Sequence, residues 1–227
     1  MIVGVMGAMP DEIDLLCARL GKVTVENFAG VEYHIGHMKG HTVIVCSAGM
    51  GKVNAAATTQ VLILKYGAER IIFSGIAGNM SSEIGIGDMV IGRVSCYHDA
   101  ELDMICQNPP YLKEYPGDPQ MITAAEAACR ENGIKYLTGR IATGDLFISD
   151  ADVKRGIAEK CAPACVEMEG AAAAHIAAKN GVPCLILRTM SDNADEDGHT
   201  VLVVKKFSIA AYAATAARVV SSVIARL

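Results

Sequence analysis

The sequence predicts an α/β fold: a single domain over residues 1–227, with a central mixed, largely parallel twisted sheet flanked by helices on both faces. Three observations predict it. Short apolar or β-branched runs alternate with longer helical stretches, the order expected of strands joined by crossover helices. Most of those runs lack strict apolar–polar alternation, as strands covered on both faces do. Of the 227 residues 52% are hydrophobic, enough for a substantial core.

Residues 2–6 open the chain as a buried strand. Pro10 suits the first turn of a helix over 10–20, where its fixed φ is pre-set and its missing N–H is no loss. A strand at 42–46, a helix at 53–65 and strands at 70–74 and 88–94 follow. Between Asn108 and Pro119 the prolines oppose both helix and central strand. That segment is either plain surface or a loop that covers a site or a subunit contact. A helix at 120–132, a strand at 138–142, a helix at 150–159 and a strand at 164–166 come next. Gly170 and the four alanines after it start a small-residue helix, 170–180, suited to close packing. The strand at 184–190 is the most apolar of all. In the last helix, 204–226, Val220, Val223, Ile224 and Leu227 recur at i, i+3, i+4 and i+7, one apolar face.

A net charge of −5, with Lys205-Lys206 the densest basic pair, argues against nucleic acid, whose phosphates need clustered cations. Met1 to Met9 lacks the positive start of a secretory leader, and Asp11 and Glu12 follow at once. No apolar run reaches the ~18 residues of a spanning helix. A cytoplasmic protein with no membrane partner is expected. The cysteines at 17, 46, 96, 106, 129, 161, 165 and 184 form no CxxC pair and read as free thiols in a reducing compartment. The six histidines show no zinc spacing, so neither a metal nor a cofactor is expected.

Three carboxylates carry the functional signal: Glu12, Glu169 and Asp192. Each follows an apolar run, and open α/β sheets bind ligands at the carboxyl ends of their strands. Acids from distant parts of the chain therefore meet in one pocket and suit acid/base work on a small polar molecule. Glu12 lies in the first turn of its helix, where the dipole favours the ionised form, which can take a proton from water. Glu169, beside Glu167, suits sugar hydroxyls. Asp192, if buried, has a raised pKa and donates a proton at neutral pH. Each has a structural alternative: helix-start charges for the glutamates, a turn cap for Asp192. Gly49-Met50-Gly51-Lys52 is followed by Val53, so it is no P-loop. Neither 4–7 nor 75–78 fits a dinucleotide fingerprint, although their glycines let backbone approach a ligand.

Eight segments in order carry a family likeness: Gly7-Ala8-Met9 with Glu12, Ser47 to Ala56, Gly75-Ile76-Ala77-Gly78, Gly87-Asp88, Tyr97-His98-Asp99-Ala100, Thr143-Gly144-Asp145-Leu146-Phe147-Ile148, Val166-Glu167-Met168-Glu169 and Ser191-Asp192. Together they resemble the 5'-methylthioadenosine/S-adenosylhomocysteine nucleosidases of the purine nucleoside phosphorylase superfamily. The resemblance implies cleavage of the bond between adenine and C1'. Asp192 then protonates adenine N7 and Glu12 activates water. Glu169 binds the ribose hydroxyls with Met168 nearby, Phe147 stacks on the purine, and the Ile148 backbone reads its edge. Met9, Met50, Ile76, Ala77, Gly78, Glu167 and Arg188 complete the lining. It also implies a homodimer whose partners are a nucleoside and water.

Departures touch the 5' end of the substrate. After Glu101 the chain reads Leu102-Asp103-Met104-Ile105 where the family commonly has aromatics, in a loop supplied by the neighbouring subunit. Residues 199–204 replace a stretch that usually carries a pocket Phe in the family, with Leu202 standing in for it, and Ile76 replaces a Ser of some members. Three rivals stay open. A phosphorylase needs arginines near the first and second glycine loops, where this chain has Asp11 and Glu12 and no Arg between 70 and 93. A hydrolase of another 5'-modified nucleoside, of the futalosine type, fits the altered loop. A non-catalytic nucleoside binder predicts loss of one of the three acids.

Overall fold

The structure, a computed structural model, describes residues 1–195 and 209–227. In chain order it runs β1 (Ile2–Gly7), α1 (Pro10–Cys17), β2 (Gly21–Phe28), β3 (Val31–Met38), β4 (His41–Ser47), α2 (Lys52–Leu64) and β5 (Arg70–Asn79). Then come β6 (Met89–Tyr97), α3 (Leu102–Ile105), β7 (Glu114–Pro116), α4 (Pro119–Glu131), β8 (Tyr136–Thr143) and α5 (Ala151–Cys161). β9 (Cys165–Glu167), α6 (Gly170–Lys179), β10 (Cys184–Asp192) and α7 (Ile209–Ile224) complete it. The expected helix start at 204–208 and Leu202 lie outside the described residues.

The sheet is built around β4, β1, β5 and β10, which run parallel. Every residue of β10 is buried, as are all but the first of β1 and all but two of β5. A strand wet on neither face has no reason to alternate, which is why these segments read as continuous apolar runs. From β5 the sheet continues through β9, β8 and β6 back to β10, and β10 also pairs with β5, so this half closes on itself. At the other edge β3 and β2 add an antiparallel hairpin.

Helices cover both faces. On one, α2 and α6 pack together over a core that includes Leu62, Ile71, Phe73 and the buried alanines of α6. Gly170 is required there, since a Cβ would sit 2.9 Å from Ile186 Cγ2. On the other face, α1, α4 and α7 pack Ile13, Leu16, Met121, Val220, Val223 and Ile224 against Val3, Val5 and Leu185. The apolar stripe read from α7 is therefore its core face. Among the described residues no helix is long and apolar enough to cross a membrane.

Four elements, β2, β3, α3 and β7, are absent from the sequence reading. The hairpin β2–β3 escaped it because nearly every residue of β2 is exposed, so no burial pattern marks that strand. Its turn, Ala29-Gly30, has φ +50° and +78°, the signs of a type I′ hairpin turn. Inside the proline-rich segment, β7 pairs with the edge of β6 and buries Tyr115, and Pro116 is tolerated because the strand is short and peripheral. The short helix α3 precedes it. Strands β5 and β10 also run further than expected, to Asn79 and Asp192, and so carry their last residues into the site.

Adjacent leucines of α1 test this partition. Leu16 is 3% exposed and Leu15 is 40% exposed. Urea denaturation is expected to show Leu16→Ala losing about 2–5 kcal/mol and Leu15→Ala less than about 1 kcal/mol. Equal losses would place the helix face wrongly.

Candidate active site

The carboxyl ends of β1, β5 and β10 open onto one cavity of about 310 Å³. Met9 and Met50, then Ile76, Ala77 and Gly78 at the end of β5, line one part of it. Phe147, Met168, Glu167 and Glu169 line another, and Glu12, Arg188 and Asp192 also face it. The walls are mainly apolar and the polar groups few and convergent, as in small-molecule sites.

Glu12 is the third residue of α1, and both its oxygens are held. Oε2 accepts from the N–H groups of Ala8 (2.6 Å) and Met9 (3.1 Å), and Oε1 from that of Ile76 (3.1 Å). Gly7 makes room for this turn: a Cβ there would lie 2.9 Å from that of Glu12. Burial raises the Glu12 pKa above the usual carboxylate value, while Arg188 and the three N–H groups pull it back. The sequence reading, from the helix dipole alone, expected the ionised form; burial acts the other way. An acid of raised pKa that still has donors for its charged form is a stronger proton acceptor than a free carboxylate.

Arg188, 1% exposed, is the one cation lining the cavity among the described residues. It faces Gly75 across the β5–β10 ladder. Its guanidinium fills the space a Gly75 side chain would take, where a Cβ would overlap Nη1 and stand 3.1 Å from Glu12 Oε1. It lies over the Phe73 ring at 4.5 Å, pairs with Glu167, and stands 3.5 Å from Glu169 Oε2. Burial alone would lower its pKa, but Glu167, Glu169 and Glu12 raise it, so it stays charged.

Glu167 ends β9 and anchors the start of α6, accepting from the N–H groups of Gly170 (2.7 Å) and Glu169 (3.2 Å) and from the Thr143 hydroxyl. Glu169 accepts the Gly51 N–H at 2.9 Å. This bond explains the second glycine signature: Gly49 and Gly51 hold φ of +87° and +92° so that the loop can turn its N–H inward. Burial pushes the Glu169 pKa up to about 7, against the pull of Arg188.

Asp192 is 2% exposed, deeper than Glu12 at 6%. A bulge between Met190 and Asp192 breaks the register with β5 and aims its side chain into the cavity. Oδ1 accepts the Ala194 N–H at 2.7 Å, and the Ser191 hydroxyl lies 2.7 Å from Oδ2.

Thus Glu12, Glu169 and Asp192 do meet, with Met9, Met50, Ile76, Ala77, Gly78, Phe147, Glu167, Met168 and Arg188 around them. Ile148 lines a small adjoining recess that shares Phe147 and Asp192. Leu102 does not reach the cavity of its own chain: α3 sets it against a different hollow, beside Tyr97 and Arg140. Leu202 is outside the described residues. Sequence reasoning missed Ala8, Val166 and Ser191, which also line the cavity, although all three stand inside its motifs. It also missed Tyr212 of α7, buried against Ile76 and close to the charges of Glu12 and Arg188, which no local motif marks. Among the described residues no cluster of His, Cys, Asp or Glu could hold a metal ion.

The profile of the phosphorylase superfamily matches residues 2–225. The chain is 35% identical over 205 residues, 88% of its length and 89% of the relative's, to a 5'-methylthioadenosine/S-adenosylhomocysteine nucleosidase of Bacillus thuringiensis subsp. konkukian (strain 97-27). Its structure is similar to that of the S-adenosylhomocysteine nucleosidase of Streptococcus pyogenes in complex with 5-methylthiotubericidin. There the TM-score is 0.93 and the identity 30%, covering 100% of this chain and 97% of the other. It is also similar to the futalosine hydrolase of Helicobacter pylori strain 26695, with TM-score 0.92, 29% identity, and 100% and 98% of the two chains covered.

Because the pKa values of Glu12 and Glu169 are raised, the folded chain holds protons that the unfolded chain releases from about pH 4.5 upward. For Glu169 the resulting contribution to stability is full below about pH 4.5 and is lost as pH rises through about 7. Glu169→Gln cannot ionise and escapes the loss. Its Tm is therefore expected to gain on that of the unsubstituted protein between about pH 5 and pH 8. A pH-independent Tm difference would contradict this.

Proposed function

The chain belongs to the 5'-methylthioadenosine/S-adenosylhomocysteine nucleosidase family of the phosphorylase superfamily, and we propose that its cavity adds water across the N-glycosidic bond of these nucleosides, releasing adenine and the 5'-thio-ribose. The observation that supports this best is the charge inventory. Four buried carboxyl groups face the cavity, and even with Asp192 holding its proton three glutamates share the one cation that lines it among the described residues. A surplus of negative charge in a low-dielectric site stabilises the positive ribosyl centre that forms as the bond breaks. The same surplus repels phosphate, which disfavours a phosphorylase.

The bonding pair leaves with adenine as Asp192, the more deeply buried acid, gives a proton to N7. Glu12 takes a proton from water, whose oxygen bonds to C1'. Glu169 accepts from the ribose hydroxyls, and its bond to Gly51 ties the sugar subsite to the loop beside Met50. Phe147, partly exposed at the rim, stacks on the purine, with Ile148 beneath its edge. The futalosine hydrolase likeness concerns the same reaction with another 5' group; the curated relatives by sequence favour the 5'-thio nucleosides.

The working unit in this reading is a homodimer. Lys52 bonds Asp99 at 2.8 Å and lies 3.2 Å from Asp145, and so draws three loops together. Around that clasp Met50, Val53, Met104 and Leu146 are all exposed. A large apolar surface at the rim suits a second copy that closes the 5' end of the pocket. The free cysteines fit a reducing compartment such as the cytoplasm.

Purified protein is expected to release adenine from 5'-methylthioadenosine at the same rate with and without phosphate. Asp192→Asn and Glu12→Gln are each expected to lower kcat by about 10²–10⁴ while adenine still binds. Release that required phosphate, or variants with unchanged kcat, would overturn the assignment.

A further inference from the structure

A hollow of about 500 Å³ opens at the end of the molecule opposite the active site and shares none of its lining residues. α1 joins the two ends: its first turn carries Glu12 at the site, and Arg19, just past its last turn, lines the hollow. α7 forms the floor. Arg218, Ser222 and Ala225 follow at i, i+4 and i+7, with Arg226 next to them, on the face opposite the apolar stripe of Val220, Val223 and Ile224. A fourth cation, Lys39, stands in the two-residue turn between β3 and β4, where Lys39 and Gly40 hold φ of +51° and +87°, the signs of a type I′ turn.

Four cations line this hollow, and among the described residues no carboxylate does. Arg226 is paired with Glu131, and its Nη1 donates to the Ser222 carbonyl at 2.6 Å. Arg19 uses one nitrogen, Nη1, on the Ala217 carbonyl (3.2 Å) and the Ser221 hydroxyl (3.4 Å). Arg218 reaches only the Thr215 hydroxyl, at 3.4 Å, and Lys39 has no hydrogen-bond or ion-pair partner among the described residues. The helix ends gathered here balance part of this charge. α1, α4 and α7 all end at the hollow, and each C-terminus is equivalent to about half a negative charge. With Glu131 that makes about 2.5 negative charges against the four positive ones. A positive surplus therefore remains at this end of a chain whose net charge is −5. A concave surface lined by one sign of charge focuses its field on the space it encloses and concentrates ions of the opposite sign there.

We propose that this hollow is a second ligand site, which binds a compact, multiply charged phosphate compound. Guanidinium groups from α7 and from the end of α1 match phosphate oxygens in pairs, Lys39 adds a point charge, and Ser222 lines the floor between Arg218 and Arg226. The volume suits a small molecule. No aromatic side chain lines the walls among the described residues, so the bases of a nucleic acid would find no stacking platform.

The test titrates the folded, unsubstituted protein with inorganic pyrophosphate by calorimetry at constant ionic strength, with sodium chloride as the control and a parallel run in saturating adenine. The expected result is one saturable site per chain, of the same affinity with adenine present, and a Tm that rises with pyrophosphate. Lys39→Gln and Arg218→Gln replace exposed side chains far from the active site. Each is expected to leave the protein folded and to weaken pyrophosphate about tenfold, the worth of one charge-assisted hydrogen bond. Lys39→Arg, which keeps the charge, should bind as the unsubstituted protein does. The proposal is overturned if pyrophosphate raises Tm no more than sodium chloride does, or if the double variant Lys39→Gln/Arg218→Gln binds it undiminished. Displacement by adenine would also overturn it, because the anion would then lie in the active site.

Discussion

Everything at the carboxyl end of this sheet is arranged around one buried guanidinium. Arg188 sits in the middle of the most deeply buried strand, where an unpaired charge would be prohibitive. It is admitted because β9 ends in Glu167, because Glu169 and Glu12 approach from α6 and α1, and because Gly75 and Phe73 on the neighbouring strand supply an empty position and a ring face. Removing one member of such a cluster typically costs about 3–5 kcal/mol. The cluster thus fixes how four separate chain segments meet, and with them the walls of the pocket.

The cluster is unbalanced, and the imbalance is functional. One cation cannot neutralise the three glutamates around it, so burial leaves Glu12 and Glu169 with raised pKa values. An empty pocket of this kind is a stability liability at neutral pH. It becomes favourable when a positive charge develops inside it, as happens on the sugar when a glycosidic bond breaks. Strain of this sort belongs where it serves the transition state rather than the resting protein. Around it the backbone is held by short bonds to Glu12, Glu167 and Asp192, so little reorganisation is needed during the reaction.

The parallel strands were legible from sequence because burial on both faces leaves unbroken apolar runs at 2–6, 70–74 and 184–190. Strand β2 was not, because it buries almost nothing, and β7 was hidden by prolines that an edge strand tolerates. The meeting of Glu12, Glu169 and Asp192 was legible because each follows an apolar run near a glycine or acidic signature. Register was not: that Arg188 faces Gly75, or that a bulge at Ser191 aims Asp192, depends on pairings between segments about a hundred residues apart. Burial was only half visible. Position in the first turn of α1 pointed to an ionised Glu12, whereas the fold buries it. Tyr212 reaches the site only through tertiary packing, so no spacing rule marks it.

The most direct test of this electrostatic account is the acid limb of kcat/KM against pH for adenine release, in Arg188→Gln beside Arg188→Lys. If Arg188 holds the pocket acids in their charged forms, losing it should move the limb of Arg188→Gln about 1 pH unit or more upward, and the lysine variant should move less. A limb that stays in place while only kcat falls would show that Arg188 serves packing alone, and that the charge cluster does not set the chemistry.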